Sequence, residues 1–518
     1  MPDDARPALA EGRRARRGDS PVPLPSGETA RALRLVMLDG LTSQTMATLT
    51  TGVFQVGLAL ELGASNLAIG ILAALPFLTQ LLQLPAISLV ERLQVRRPIS
   101  AIASALGRSF LALTALTPLL GQGWLPVGVL IACVAAQGGL GALSNCAWNS
   151  WMRDLVPQER FGAFFGRRLF YMAIAGVIVS LAAGAAIDAW RSWSAGPPGY
   201  AYTLLFLAGA LAGLLGAAVL WRTPEPRMAA IEGESRLSAR LREPFQDLNF
   251  RRVILFLASW GFATNLAAPF FTVYMLKSIE LPMSLVIGVT VLNQLVNLTF
   301  YRIWGGIADR LSNRAVLDVC APLFLACILG WTFLTFPERH VLTVPLLVLL
   351  HALMGVATAG VTLSSGNIVL KLSPRGRATA YLAANSIVVS LAAGVASVLG
   401  GAFADAFAQH QLTMSFEWTG PGQDIVVQTL KLRHWDFFFF TAFVVGLYSL
   451  HRLGRISEDG APRDRAMIVE LLSETRRLFA GSSSAAGLAR IGIFPFAALR
   501  FGRNGSSGRP VPGRSPRE

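Results

Sequence analysis

Charge is scarce in this chain. Only 14% of its 518 residues are Asp, Glu, Lys or Arg, where soluble domains carry roughly 25%. Lysine is confined to Lys277, Lys371 and Lys431. With 53% hydrophobic residues beside that deficit, a water-soluble fold is excluded, because there is too little polar surface to cover the apolar mass. Cysteine is rare too. Cys133, Cys146, Cys320 and Cys327 lie inside apolar stretches with no zinc or redox spacing, which leaves them as small packing residues. There is no His-Glu-x-x-His, no P-loop lysine, no Gly-x-Ser-x-Gly and no metal-ligand cluster. Neither an enzyme nor a cofactor is expected. The first thirty residues carry Arg13–Arg17 and Pro21–Pro25 without an apolar core, so they do not read as a signal peptide. Basic runs elsewhere lack interleaved aromatics, and nucleic acid is not an expected partner.

What the chain has instead is twelve apolar stretches, near 35–60, 66–90, 98–120, 125–151, 164–188, 201–221, 252–276, 283–304, 315–336, 341–368, 378–404 and 435–454. Each approaches the roughly 20 residues that a helix needs to cross a bilayer. The net charge of +15 is distributed by topology. Outer loops hold Arg191, Lys277, Arg339, Lys431 and Arg433, Arg108 stands alone inside a stretch, and the other basic residues fall on one side. Retained positive charge marks the cytoplasmic side, so the reading is a multi-pass protein of the cytoplasmic (inner) membrane with both termini inside. The pattern breaks once, at 222–250, where arginines and Pro224, Pro226 and Pro244 replace apolar sequence. That divides the chain into a disordered basic arm (1–34), a six-span bundle (35–221), a cytoplasmic linker (222–250), a second six-span bundle (251–454) and a cytoplasmic tail (455–518). Within the tail, 467–479 patterns as an amphipathic helix suited to the inner leaflet, and Leu488–Arg503 as a second apolar-basic stretch. The outer loop 405–434 is long enough to cover part of an entrance.

The halves echo each other. Val179–Gly184 (VSLAAG) recurs letter for letter at Val389–Gly394, Glu91-Arg92-Leu93 matches Asp309-Arg310-Leu311, and Pro157 with Arg160 matches Pro374 with Arg377. Three echoes in one order argue for a duplication. The segment Gly305-Gly306-Ile307-Ala308-Asp309-Arg310-Leu311-Ser312-Asn313-Arg314 resembles the loop signature of the major facilitator superfamily, G-x-x-x-D-R-x-G-R-R, with Ser312 and Asn313 departing from it. The resemblance implies an all-α integral membrane protein of twelve transmembrane helices, built as two pseudo-symmetric six-helix bundles. It also implies that Asp309, Arg310 and Arg314 form a cytoplasmic latch that holds the halves together when the protein faces outward. Glu91, Arg92 and Arg96 would be the first-half counterpart, and Asp154, Arg160 and Arg377 belong to the same gate. Exposed ion pairs are individually weak, but a bistable set of them biases one packing over another. The fifth span lacks the Gly-Pro signature usual in dedicated antiporters of this superfamily.

Polar side chains inside a span face a cavity or each other, because lipid offers no partner. Gln44, Thr48, Thr51 and Gln55 sit at i, i+4, i+7 and i+11 of the first span, one stripe on a continuous helix. Asp39, Ser43 and Thr50 form a second stripe on the opposite side. The eighth span repeats the spacing with Thr290, Gln294, Asn297 and Tyr301, flanked by Asn293. The fourth offers Gln137, Asn145, Trp148 and Asn149; the seventh offers Asn265 ahead of Pro269; the tenth offers Thr358 and Thr362. These are the candidate lining residues, against the blander alternative of helix–helix hydrogen bonds. Arg108 needs a partner within the membrane: Gln80, Gln83 or Asp39. Asp39 is the candidate for proton coupling, or else a local cap.

These features lead to a secondary active or facilitative transporter that moves a small polar or amphipathic solute by alternating access. The lipid bilayer and protons complete the expected partners, and the protein is expected to be monomeric. The competing expectation is a non-transporting assembly factor or sensor that acts through the tail. Leucine at the stripe residues would disable the first, and removal of 455–518 the second.

Overall fold

A computed structural model describes residues 25–157, 160–226, 242–335, 340–374, 378–418 and 425–458. Among these residues nine helices are long and apolar enough to cross a bilayer. They are the third to eleventh spans: Arg97–Leu120, Trp124–Leu155, Phe161–Trp193, Gly199–Trp221, Leu248–Ser278, Met283–Arg310, Asn313–Thr335, Thr343–Leu372 and Ala380–Phe407. The first span is broken into Ser26–Thr50 and Val53–Glu61, the second into Asn66–Gln80 and Gln83–Leu93, and the twelfth is His434–Leu453. The first helix therefore starts inside the segment read as a disordered arm; residues 1–24 lie outside those described. The segment read as the loop 405–434 contains an antiparallel hairpin, β1 (Gln411–Trp418) and β2 (Ile425–Arg433), paired from Gln411↔Arg433 to Trp418↔Ile425. The helix expected over 467–479 lies outside the described residues.

Duplication is visible in the packing. In the first half, span one packs on five and six, three on four and six, and two on four. In the second, seven packs on eleven and twelve, nine on ten and twelve, and eight on ten. Each contact has its counterpart six spans later. A glutamate closes each bundle at the linker end, half-buried in the first and buried in the second. Glu225, just past span six, accepts from the N–H groups of Arg96 (2.7 Å) and Arg97 (3.1 Å) at the start of span three. Glu458, just past span twelve, accepts from Asn313 Nδ2 (3.0 Å) and the Arg314 N–H (2.9 Å) at the start of span nine. A carboxylate at a helix N-terminus satisfies orphan N–H groups and the positive end of the helix dipole together.

The halves meet through spans two and eleven and through spans five and eight. At the hairpin end each junction carries the same device. Asp188 of span five accepts from the N–H groups of Met283 (2.9 Å) and Ser284 (2.7 Å), which open span eight. Asp405 of span eleven accepts from the N–H groups of Asn66 (3.0 Å) and Leu67 (2.8 Å), which open span two, and from Asn66 Nδ2. One turn before each aspartate stands a glycine at the contact. A Cβ on Gly184 would lie 3.1 Å from Ile287 Cγ1, and one on Gly401 would meet the Asn66 carbonyl and stand 2.8 Å from Leu67 Cα. Gly184-Ala185-Ala186-Ile187-Asp188 and Gly401-Ala402-Phe403-Ala404-Asp405 are thus one repeated solution: a small residue for approach, then an acid for the cap.

Candidate functional site

A cavity of about 950 Å³ lies between the halves. Thr51 and Gln55 of the first span, Gln137 and Asn145 of the fourth, and Thr290 and Asn293 of the eighth line it. Apolar side chains make most of the remaining wall, with Phe271, Trp331, His351 and Met354 on one side. Phe271 stacks on Trp331 at 4.3 Å between ring centroids, and Trp331 lies 5.5 Å from the His351 ring. That wall is flat, aromatic and held by its neighbours.

The break in the first span faces this cavity. Thr51 is extended (φ −127°, ψ 177°) and Gly52 takes φ +60°, ψ −127°, a combination that costs a side-chain-bearing residue dearly. Ending one helix and starting another leaves carbonyls and N–H groups without intrahelical partners. Inside a membrane such backbone is tolerated where it lines a cavity, and Thr51, Gly52 and Val53 all line this one. The break also resets the helical phase. Gln44 and Thr48, upstream of it, hydrogen-bond each other at 3.2 Å and lie against Gly176 of the fifth span. They are not in the cavity wall.

Other expected lining residues lie elsewhere. Asn149 donates to Asn145 Oδ1 (3.4 Å). Asn265 donates from Nδ2 to the Gly261 carbonyl (2.8 Å). Its own carbonyl, which Pro269 cannot serve for want of an N–H, accepts from Ser397 Oγ at 3.4 Å. Gln294, Asn297 and Tyr301 continue the eighth span toward the linker end, and Thr358 and Thr362 do the same on the tenth; none of the five lines either cavity.

A second cavity of about 290 Å³ sits within the first half and shares Met46, Gln137, Gly141 and Asn145 with the large one. Asp39, Ser43, Arg108, Trp148 and Arg168 line it. The partner of Arg108 is resolved here. Its Nη1 donates to the Gly213 carbonyl (2.6 Å), its Nη2 donates to Ser43 Oγ (2.9 Å), and Asp39 Oδ1 lies 4.0 Å away. Gln80 and Gln83 instead bond each other. Arg168 was expected in a cytoplasmic loop by its charge. It is two turns inside the fifth span, buried, with Nε donating to the Val36 carbonyl (3.3 Å), Nη2 3.6 Å from Asp39 Oδ2, and its guanidinium 5.0 Å above the Trp148 ring. The helix start at Phe161 is the signal that would have placed it there.

A family model described as Major Facilitator Superfamily matches residues 38–350. The chain belongs to the major facilitator superfamily. Solved structures agree in fold. A variant of the nucleoside transporter NupG superposes with a TM-score of 0.62 at 12% identity, covering 83% of this chain and 100% of that one. A D-xylose–proton symporter gives 0.59 at 14% identity, over 83% and 98% of the two chains. A bacterial homologue of the human lysosomal transporter Spinster, inward-facing and unoccupied, gives 0.56 at 16% identity, over 92% and 98%. Comparison with curated protein sequences finds no match. As a member of this superfamily the chain is a multi-pass membrane protein with the fold of membrane transporters.

The superfamily's loop charges are engaged within each half in this conformation. Arg96 is fully buried, its Nη1 2.5 Å from Asp154 Oδ2 and its Nη2 donating to the Pro226 carbonyl (2.8 Å). Arg314 donates to the carbonyls of Ile456 (2.5 Å) and Gly454 (3.3 Å) and lies 3.6 Å from Asp318. Lys371, aligned with Asp154 but opposite in charge, pairs with Glu458 at 2.9 Å. Arg92, Arg160, Asp309 and Arg310 are exposed. Arg377 and the Glu91 side chain lie outside the described residues. Sequence reasoning missed Gly52, Arg168, Asp188, Asp405, Glu225 and Glu458. The repeated Gly-x-x-x-Asp was the available clue for two of them.

Proposed function

We propose that this protein is a secondary transporter that moves a small amphipathic solute by rocking its two halves about the large cavity. The observation that carries the reading is the cavity itself. It lies between halves joined at the hairpin end by Asp188 and Asp405, and it is faced by a span broken at Gly52. The charge pattern supports the hairpin end as the outer one, and on that reading this conformation faces inward. A largely apolar wall with amide and hydroxyl groups from spans one, four and eight suits a solute with an apolar body and a few polar groups. Asp39 is the acid to examine for proton coupling, since it is the carboxylate buried beside the cavity system.

The test is a thermal-stability screen of the purified protein against nucleosides, sugars, amino acids, organic acids and lipophilic cations. A ligand at 100 times its Kd stabilises the folded state by about 2.7 kcal/mol. A shift confined to one chemical class and abolished by Asn293→Leu or Gln137→Leu is the expected result. Shifts that survive both substitutions would remove the cavity from the proposal.

A further inference from the structure

We infer that the small cavity beside Asp39 is an anion subsite, which receives the carboxylate or phosphate of an organic anion whose apolar body occupies the large cavity. The inference rests on the transport reading above and narrows its substrate class. Its first support is a charge count. Among the described residues lining this cavity the ionisable groups are Asp39, Arg108 and Arg168, and they are 3%, 9% and 9% exposed. Guanidinium groups stay protonated in proteins, so one carboxylate faces two fixed cations at membrane depth. Isolated buried charge is among the costliest things a fold can hold. A second negative charge is what the cluster lacks.

The second support is geometric. Charge-assisted guanidinium–carboxylate bonds close to roughly 2.7–2.9 Å, yet Asp39 stands 3.6 Å from Arg168 and 4.0 Å from Arg108. Arg108 is held by a carbonyl and a hydroxyl. Arg168 spends only its Nε on a hydrogen bond, to Val36, which leaves both Nη groups without one among the described residues. Both lie at the wall of a cavity large enough for a carboxylate or phosphate head. The third support is continuity: Gln137 and Asn145 belong to both cavities, so a head group in the small one places its attached body in the large one. The stacked Phe271–Trp331 wall is the surface such a body meets.

The experiment uses the full chain in phosphatidylcholine nanodiscs, whose lipids offer no unbalanced anion. Binding of benzoate, octanoate, phenyl phosphate and hexyl phosphate is compared with that of the matching amides and alcohols, by calorimetry and thermal shift. The expected result is a preference for at least one anion over its neutral partner of tenfold or more in Kd. The carboxylate and phosphate arms tell which head group the site takes. Arg168→Gln abolishes the preference and still folds, since Asp39 then faces Arg108 alone as a neutral pair. Asn145→Asp, an exposed and isosteric change at the shared wall, also abolishes it by placing a like charge at the entrance. Arg153→Gln, on the surface, leaves it intact. Equal binding of anions and neutral partners, or a preference that survives both Arg168→Gln and Asn145→Asp, overturns the inference. The transport reading is scored separately, by spin-label distances across the hairpin end. Ligand-driven opening there by a neutral solute alone would keep transport and discard the subsite. Anion preference without opening would keep the subsite and discard transport.

Discussion

At the residue scale the decisive side chain is Asp39. Among the described residues it is the carboxylate that faces two arginines, and removing one member of a buried ionic cluster leaves uncompensated charge worth about 3–5 kcal/mol. Asp39→Asn is therefore expected to lower the melting temperature of the unliganded protein sharply. Adding Arg168→Gln to that variant recovers part of the loss, because the two changes share one network. An unchanged melting temperature in the single variant would show that the cluster contributes nothing to the fold. The sequence announced Asp39 and Arg108 as intramembrane charges, but not Arg168. A run of arginines at a span boundary reads as loop, and only the place where the helix starts tells which of Arg167 and Arg168 turns inward.

At the scale of elements, the first span teaches why the polar stripes were half legible. A stripe drawn at 100° per residue assumes an unbroken helix. Gly52 breaks it, so Thr51 and Gln55 reach the cavity while Gln44 and Thr48 turn toward the fifth span. Span positions and the two-bundle plan were readable because hydrophobic length and arginine placement are local properties. The break depends on one backbone angle, and a lone glycine among several does not disclose it. Gly52→Ala is expected to cost about 1–3 kcal/mol of stability and to weaken ligand binding, read by melting and calorimetry on one preparation. A second element-level prediction concerns the joint after the twelfth span. Burial opposes ionisation of Glu458, but hydrogen bonds from Lys371, the Arg314 N–H and Asn313 outweigh it and hold the carboxyl below its usual range. A lowered folded-state value means that this joint is fully stabilised above the ordinary value of 4.5 and is lost as pH falls through the lowered one. Amide protection at 313–315 should therefore drop on acidification below about 4.5, and in Glu458→Gln it should already be low at neutral pH.

At the scale of the whole molecule, two aspartates hold one end shut. Asp188 and Asp405 cap helices that belong to the opposite half, so their bonds exist only while the halves are together there. Charged caps contribute about 0.5–2 kcal/mol each. The double variant Asp188→Asn, Asp405→Asn should thus shift the population toward opening at the hairpin end by about fivefold or more. Double electron–electron resonance between labels on spans two and eleven measures it. Distances that do not lengthen would mean that the junction is held by packing alone. In this conformation the loop charges Arg96 and Arg314 bond within their own halves, beside the buried Glu458 in the second; the latch that the superfamily resemblance implies is a contact of the outward-facing state.

The junction at Asp188 and Asp405 has a consequence for the proposed cycle. Four of its five hydrogen bonds take a peptide N–H, already fixed at the head of a helix and free of rotamers. Shutting that end orders little more than the two torsions of one short side chain on each side, so the entropy lost is small. Parting it hands the same few groups to water, which replaces their bonds at a net difference of only about 1 kcal/mol apiece. A door with so little to gain or lose in either direction can swing many times without sticking.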